Sequence, residues 1–334
     1  GGTGDEIYQT TLKNDFNSLA IDAFDGNSGP RLAILQRKNT NGIIRAHVLD
    51  AENGGVAGNY QYFEPDWTPI DILSVSDAGG PGIAGIAVLA EKIGTGQQAI
   101  QTRKAGNGSI VETVFYFNDL WNASAAVDLG EFNGNGRSEI AVLATNAAGK
   151  HAVETRDSLS GKQISRHFFL GPTNTVIGLA DSADVDGNSR PELIVLGNKD
   201  AANNTANTAQ AKDVKTDALI SKPGTFAPPF VGFALRSMED VDGNTSPEMV
   251  IGAFDDEGNI TRVQVRDVLN GTLTLNTDML SAAYDPRDLE ILEDVSGNGI
   301  RELAAAGLDP ETLAIRVQTR DGQDGTLLLN IDIN

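Results

Sequence analysis

Polar and apolar positions along this chain fall into one motif that returns six times. In its clearest form, DVDGNSRPELIVL at residues 184–196, a run of oxygen-bearing and turn-forming residues passes directly into an unbroken apolar stretch. Aligned on the residue before the glycine, further copies stand at Asp25 (FDGNSGPRLAIL), Asn133 (FNGNGRSEIAVL), Asp242 (VDGNTSPEMVIG) and Ser296 (VSGNGIRELAAA). A looser copy with two extra residues stands at Asp77 (SDAGGPGIAGIAVL). From Asp25 through Asp77, Asn133, Asp186 and Asp242 to Ser296 the intervals are 52, 56, 53, 56 and 54 residues. A period of this size is the signature of solenoids, propellers or arrays.

Each repeat reads as four short strands. The first mixes apolar and polar positions (LAIDAF, DILSV, AAVDL, DLEILEDV). The second is a continuous apolar run (LAIL, IAVL, LIVL, MVIG, LAAA), the pattern of a strand covered on both faces. The third alternates (AIQTRK, AVETRD, VQVRD, VQTRD), and the fourth follows a turn that mostly ends in Gly and is more polar. Four-stranded units whose second strand is covered on both faces predict a six-bladed β-propeller of antiparallel strands. A seven-bladed ring is the alternative, and it requires strands that the sequence does not offer. The expected repeats are about 17–68, 69–122, 123–174, 175–230, 231–284 and 285–334, forming one domain. Residues 1–16, with the β-prone run at 7–12, form an extra outer strand that either remains from an upstream repeat or pairs beside the last one to help close the ring. Residues 198–210 read as a long exposed loop.

Composition narrows the picture. Lys plus Arg number 25 against 46 Asp plus Glu, a net charge of −21, so the field repels phosphate backbones and anionic lipid, and nucleic acid is not an expected partner. No apolar run approaches the roughly 18 residues of a membrane span. The start of the chain lacks the architecture of a signal peptide, which reads as a mature or trimmed chain. Cysteine is absent, which removes disulfides, thiolate metal sites and Cys nucleophiles.

The turn itself carries candidate chemistry. The fourth repeat offers Asp184, Asp186, Asn188 and Glu192 at positions 1, 3, 5 and 9 of the loop, and the fifth offers Asp240, Asp242, Asn244 and Glu248. Alternate oxygen side chains on a tight loop point inward together. A carboxylate at the start of the next strand, with main-chain carbonyls such as those of Arg190 and Ser246, completes a cage suited to a hard cation, Ca²⁺. Weaker sets are Glu131, Asn133, Asn135 and Glu139 in the third repeat and Asp294, Ser296, Asn298 and Glu302 in the sixth. The first repeat has Ala23 and Arg31 at the outer positions and the second is distorted by its insertion, so neither is expected to hold metal.

At these residues the sequence resembles the FG-GAP and VCBS repeat families, the calcium-loop propellers typified by integrin α-subunit heads and many secreted bacterial proteins. Position nine is Glu where that pattern has Asp, and position six is Ser189 or Thr245 where it often has Gly. The resemblance implies a secreted or surface-displayed, calcium-stabilised binding or adhesion module. Its partner would be a protein or a glycan, and the chain would be a monomer or part of a larger polypeptide. The competing reading of the turn needs no metal. The Gly-Asn pair persists in five repeats even where carboxylates are lost, so the motif also works as a hairpin device of the backbone.

Two further repeated features stand out. Arg then Asp closes the third strand at Arg156-Asp157, Arg266-Asp267 and Arg320-Asp321, with Lys212-Asp213 and Arg103-Lys104 as variants; adjacent strand residues face opposite ways, so each is expected to meet a neighbouring blade or cap the following turn. Aromatics precede the first strand at Trp67, Trp121, Phe230 and Tyr284, where they either pack between blades or ring one face and stack on sugars. The histidines His47, His151 and His167 show no metal-ligand spacing, and no nucleophile elbow or phosphate loop is present, so no catalytic residue is named. A lyase-like, polysaccharide-degrading propeller and a purely structural spacer remain the alternatives to a binding module.

Overall fold

A computed structural model describes residues 16–26, 29–51, 53–199, 207–255 and 257–333. The described residues form 24 strands in six sheets, each an antiparallel sheet of four consecutive strands. The fold is a six-bladed β-propeller with four strands per blade. The blades run from β1 (Phe16–Gly26) to β4 (Val56–Tyr62), β5 (Trp67–Val75) to β8 (Ile110–Tyr116), β9 (Trp121–Asp128) to β12 (Gln163–Phe169), β13 (Asn174–Ser182) to β16 (Leu219–Ser221), β17 (Val231–Met238) to β20 (Leu273–Met279), and β21 (Asp285–Leu292) to β24 (Leu327–Ile333). Their second strands are β2 (Gly29–Lys38), β6 (Gly85–Lys92), β10 (Glu139–Asn146), β14 (Glu192–Lys199), β18 (Glu248–Asp255) and β22 (Glu302–Leu308). Their third strands are β3 (Ile44–Asp50), β7 (Gln98–Lys104), β11 (His151–Asp157), β15 (Thr208–Asp213), β19 (Ile260–Asp267) and β23 (Ile315–Asp321).

Contacts divide the chain into two compact units, one holding the first three blades and the other the last three, with the division at Phe168 and Phe169. In each unit the core lies between successive sheets. Strands β6, β10, β14 and β18 each open with six consecutive buried residues. The reason is the period-two alternation of a strand. In β6, Ile86, Val88 and Ala90 pack with Leu35, Ala46 and Val48 of the first blade, while Ala87 and Leu89 pack with Ile140, Val142 and Ala144 of the third. In the other unit Ile194, Leu196 and Ala211 meet Leu235, Met249 and Ile251, and on the far side of β18 Val250 joins Val263, Leu289 and Leu303. Each fully buried Leu or Ile of this kind contributes about 1.5–3 kcal/mol. Two hydroxyls lock neighbouring blades together: the buried Tyr62 donates to Ile86 O at 2.9 Å and Tyr116 to Ile140 O at 3.1 Å.

Some boundaries differ from those read in the sequence. Strand β5 starts at Trp67, β9 at Trp121 and β13 at Asn174, so the expected divisions at 68/69, 122/123 and 174/175 fall inside strands. In the first two the aromatic opens the strand because it stacks on the residue four positions earlier, Phe63 under Trp67 and Phe117 under Trp121. The expected exposed loop is shorter than 198–210. Asn198 and Lys199 end β14, Thr208 opens β15, and Asn198 exchanges two hydrogen bonds with the Gly232 backbone. Residues 200–206 of that loop, and the extra strand expected over residues 1–16, lie outside the described residues except for Phe16, at which β1 begins.

Candidate functional site

The repeated loop joins the first strand of a blade to the second. Four copies share one backbone form, with Gly134, Gly187, Gly243 and Gly297 at φ of 87°, 82°, 83° and 84°. A side chain there would carry the strain of the left-handed region, which explains the fixed glycine. Two residues on, the third and sixth blades again use Gly (Gly136, Gly299). The fourth and fifth place Ser189 and Thr245 in the same left-handed region, at φ of 64° and 73°.

In the fourth blade the first loop carboxylate organises the turn. Asp184 accepts backbone N–H groups from Gly187 at 2.8 Å, Asn188 at 3.1 Å and Ser189 at 2.6 Å. Asp240 repeats this with Gly243 at 2.7 Å, Asn244 at 3.2 Å and Thr245 at 2.6 Å. Although burial opposes it, the amide from Ser189, followed by those of Gly187 and Asn188, holds Asp184 below the ordinary carboxylate range; Thr245, Gly243 and Asn244 do the same for Asp240. Asp186 and Asp242 accept one N–H each, from Asn188 and Asn244.

Glu192 and Glu248 close the loops from the first residue of β14 and β18, and both are fully buried. One oxygen of each accepts a backbone N–H, from Val185 at 3.2 Å and Val241 at 3.1 Å. The other, Oε1, is buried with no hydrogen-bond partner among the described residues. Carboxylate oxygens of Asp184, Asp186 and Glu192 lie within 4.8 Å of one another, and so do those of Asp240, Asp242 and Glu248. A buried acceptor left unpaired costs about 1–3 kcal/mol, more when charged. Burial, then the neighbouring aspartates, pushes Glu192 and Glu248 up to about 8.

A fourth acidic residue, missed as a loop member in the sequence, stands across the sheet. Glu192 pairs in register with Asp213, and Glu248 with Asp267, both aspartates fully buried. Each is the Asp of the repeated basic-Asp doublet that ends the third strand. One oxygen of Asp213 receives Asn188 Nδ2 at 2.8 Å and the other caps the next turn at Thr216 N, 2.5 Å away. Asp267 does the same with Asn244 at 2.7 Å and Asn270 N at 2.7 Å. The arginine before it turns to the following turn, Arg266 Nη1 donating to Gly271 O at 2.9 Å. Regular recurrence of that Asp, in step with the loop Asn, is the sequence signal that could have found the pairing. Arg190 is half-buried at the end of its loop and Ser246 is buried, its N–H donating to Asn244 Oδ1 at 2.7 Å.

The weaker loops differ in one respect. In the third blade Glu139 is satisfied at both oxygens, by Phe132 N at 2.9 Å and by Asn133 Nδ2, and Asn135 Nδ2 bonds Asp157. Glu131 accepts the amides of Asn133 and Gly136. In the sixth, Glu302 accepts Val295 N at 3.0 Å and Ser296 N at 2.9 Å, Asp294 accepts Gly297 N and Gly299 N, and Asn298 bonds Asp321. Ser296 Oγ also reaches Asp321 at 3.2 Å. In the first blade the Glu position is Arg31, which pairs with Asp50 at 2.7 Å. In the second it is Gly85, opposite Lys104.

The aromatics at the entry to the first strands are packed inward. Trp67, Trp121 and Tyr284 are 8%, 9% and 7% exposed and Phe230 is half-buried on Phe226. Arg262 lies over Phe230 at 5.0 Å and Arg316 over Tyr284 at 4.3 Å, the latter arginine held by Asp332 at 2.7 Å. His151 is buried against Thr145, with Nδ1 and Oγ1 2.8 Å apart.

No family model and no curated protein matches the chain in sequence. Solved propellers match in fold. A structure of BBS1N in complex with ARL6DN superposes with a TM-score of 0.56 at 10% identity, covering 96% of this chain and 87% of that one. AofleA from Arthrobotrys oligospora gives 0.58 at 11% identity, with 94% and 86% covered. The Dos1 propeller gives 0.55 at 13% identity, with 95% and 73% covered. At these identities the likeness is one of fold.

Proposed function

We propose that the chain is a binding propeller of the FG-GAP/VCBS kind, displayed outside the cell, whose fourth and fifth blades each hold one Ca²⁺ and whose faces engage a protein partner. The observation that carries the reading is the orphaned Oε1 of Glu192 and of Glu248. It occurs in the two loops where two aspartates also converge, and in neither of the loops where the chain satisfies its own glutamate. A hard divalent cation supplies the missing partner and screens Glu192 from Asp186 and Asp213. Asp184, Asp186 and Glu192 would hold it in one blade and Asp240, Asp242 and Glu248 in the other, with Asn188 and Asn244 oxygens, the carbonyls of Arg190 and Ser246, and water completing the six to eight oxygens calcium takes. Extracellular calcium modules bind at about 10⁻⁴–10⁻³ M, and that is the range the reading expects of these loops. A rigid scaffold presenting loops for recognition supports the binding role, as does the occurrence of a similar fold in a protein–protein complex.

Calorimetric titration of metal-stripped protein tests this. Two Ca²⁺ per chain are expected, with Mg²⁺ far weaker, and both are lost in the Glu192→Gln/Glu248→Gln variant. Heat unchanged by that substitution, or no calcium uptake by the parent protein, overturns the reading.

A further inference from the structure

A cavity of about 300 Å³ opens between the first and second blades, against the Phe63–Trp67 stack, whose ring centroids are 4.6 Å apart. Its apolar wall is completed by Ile110, which is 54% exposed, and its polar edge by Gln61, Glu64, Gln101 and Arg103. The third blade shows how the chain fills the corresponding place by itself. There Glu154, two residues before Arg156, takes Arg156 Nε at 2.5 Å and Arg166 Nε at 2.7 Å, and Arg166 lies over the Phe117 ring at 4.9 Å. In the second blade the same positions, two before the arginine and twelve further on, are Gln101 and Thr113. Gln101 turns away, accepting Phe63 N at 3.4 Å and donating to Thr113 Oγ1 at 3.2 Å. Among the described residues no guanidinium covers Phe63. Arg103 donates Nη1 to Gly108 O at 2.7 Å, but its Nε is buried without a partner among the described residues. The equivalent Nε of Arg156, Arg266 and Arg320 is taken by Glu154, Gln264 and Gln318.

We infer that this cavity is a binding site for a single neutral pyranose ring of a glycan. The flat C–H face of such a ring suits the half-buried Phe63, which Trp67 backs from the core. Its hydroxyls are donors and acceptors at once, so one oxygen meets the under-satisfied Arg103 guanidinium while others donate to Glu64 and Gln61. Glu64 beside the opening disfavours a carboxylate at the same spot. A cavity of this volume, mostly apolar with a few convergent polar groups, is at the small end of ligand sites. The proposal rests on the reading of the chain as a binding module and is independent of its cation loops.

The test is binding of D-glucose, D-galactose, D-mannose and D-glucuronate to the calcium-loaded chain, followed by ligand-observed NMR at up to tens of millimolar sugar. At least one neutral sugar is expected to bind with a millimolar dissociation constant, and Arg103→Gln to weaken it at least tenfold. The decisive variant is Gln101→Glu/Thr113→Arg, which transplants the plug of the third blade; it should abolish sugar binding and leave the unfolding midpoint unchanged. No binding by any of the four sugars, preference for glucuronate over every neutral sugar, or undiminished binding by the plugged variant overturns the proposal. Calcium stoichiometry is unaffected by either result, so failure here is distinguishable from failure of the calcium reading.

Discussion

The first and fourth blades solve one electrostatic problem in opposite ways. Both end the third strand with an aspartate whose cross-strand neighbour lies within the first three residues of the second strand. In the first blade that neighbour is Arg31, and it neutralises Asp50 at 2.7 Å. In the fourth it is Glu192, facing Asp213, with Asp184 and Asp186 close by. Like charges directly opposite each other on a sheet are destabilising. The chain therefore carries its own cation in one blade and gathers unbalanced carboxylates in the other, where a proton or the proposed Ca²⁺ would offset them. The third and sixth blades stand between, since Asn133 Nδ2 and Ser296 N are turned onto the glutamate oxygen that is orphaned in the fourth and fifth.

Calcium is the strongest way to sharpen this contrast. A ligand bound only by the folded state contributes roughly 2.7 kcal/mol per site at a hundred times its dissociation constant. Thermal unfolding of metal-stripped protein should show a large Ca²⁺-specific rise in midpoint. It should vanish in Glu192→Gln/Glu248→Gln and persist in Glu139→Gln/Glu302→Gln; persistence in the first pair would place the metal elsewhere. The neutralised pair should itself melt higher than the parent when metal is absent.

Arg31→Ala breaks the comparison from its other side. It leaves Asp50 half-buried without its guanidinium and should cost about 1.5–3 kcal/mol in denaturant unfolding, with calcium uptake unchanged. A neutral result would mean that the cross-strand pair carries no energetic weight.

Proton concentration should move the fourth and fifth blades in a direction opposite to ordinary acid denaturation. In the metal-free folded chain Glu192 and Glu248 keep their protons up to about pH 8, while in the unfolded chain they release them near the ordinary glutamate value. The folded state therefore binds more protons between those limits, and metal-free stability falls as pH rises through that window. The depressed values of Asp184 and Asp240 act lower: their stabilisation is lost as pH falls below the usual carboxylate range, and it is complete before the window opens. Calcium competes with the glutamate proton, so its affinity should rise over the same window. A midpoint of the metal-free chain that climbs steadily from pH 5 to pH 8 would contradict this.

The smallest effect concerns the turn. Ser189 and Thr245 sit where the third and sixth blades have glycine, and an L-residue in the left-handed region costs about 1–2 kcal/mol. Thr245→Gly should raise stability by about 1 kcal/mol in denaturant unfolding; a loss would show that the Thr245 side chain makes a compensating contact.

Much of this was legible in the residues. The six turn-strand repeats predicted the blade count, because a strand buried on both faces must be apolar throughout, as in Leu193–Leu196. Boundaries were misplaced at Trp67 and Trp121 because an aromatic that stacks on its own i−4 neighbour looks like a connector until that stack is formed. The oxygen ligands of the loop were visible because they sit at alternate positions within nine residues. Asp213 and Asp267 were visible only as a recurring doublet.

The amino-acid sequence by itself determined the period, the antiparallel four-strand unit, the glycine turn and the carboxylates at its corners, since all of these depend on neighbours within one hairpin. Tertiary structure alone decided which carboxylate oxygen is left without a partner, that Arg31 stands in for a cation, and that Thr113 leaves open a space that Arg166 closes. Those outcomes depend on side chains brought together across strands and between neighbouring sheets. There, burial removes the water that would otherwise satisfy each polar atom, and geometry decides which atom goes unsatisfied.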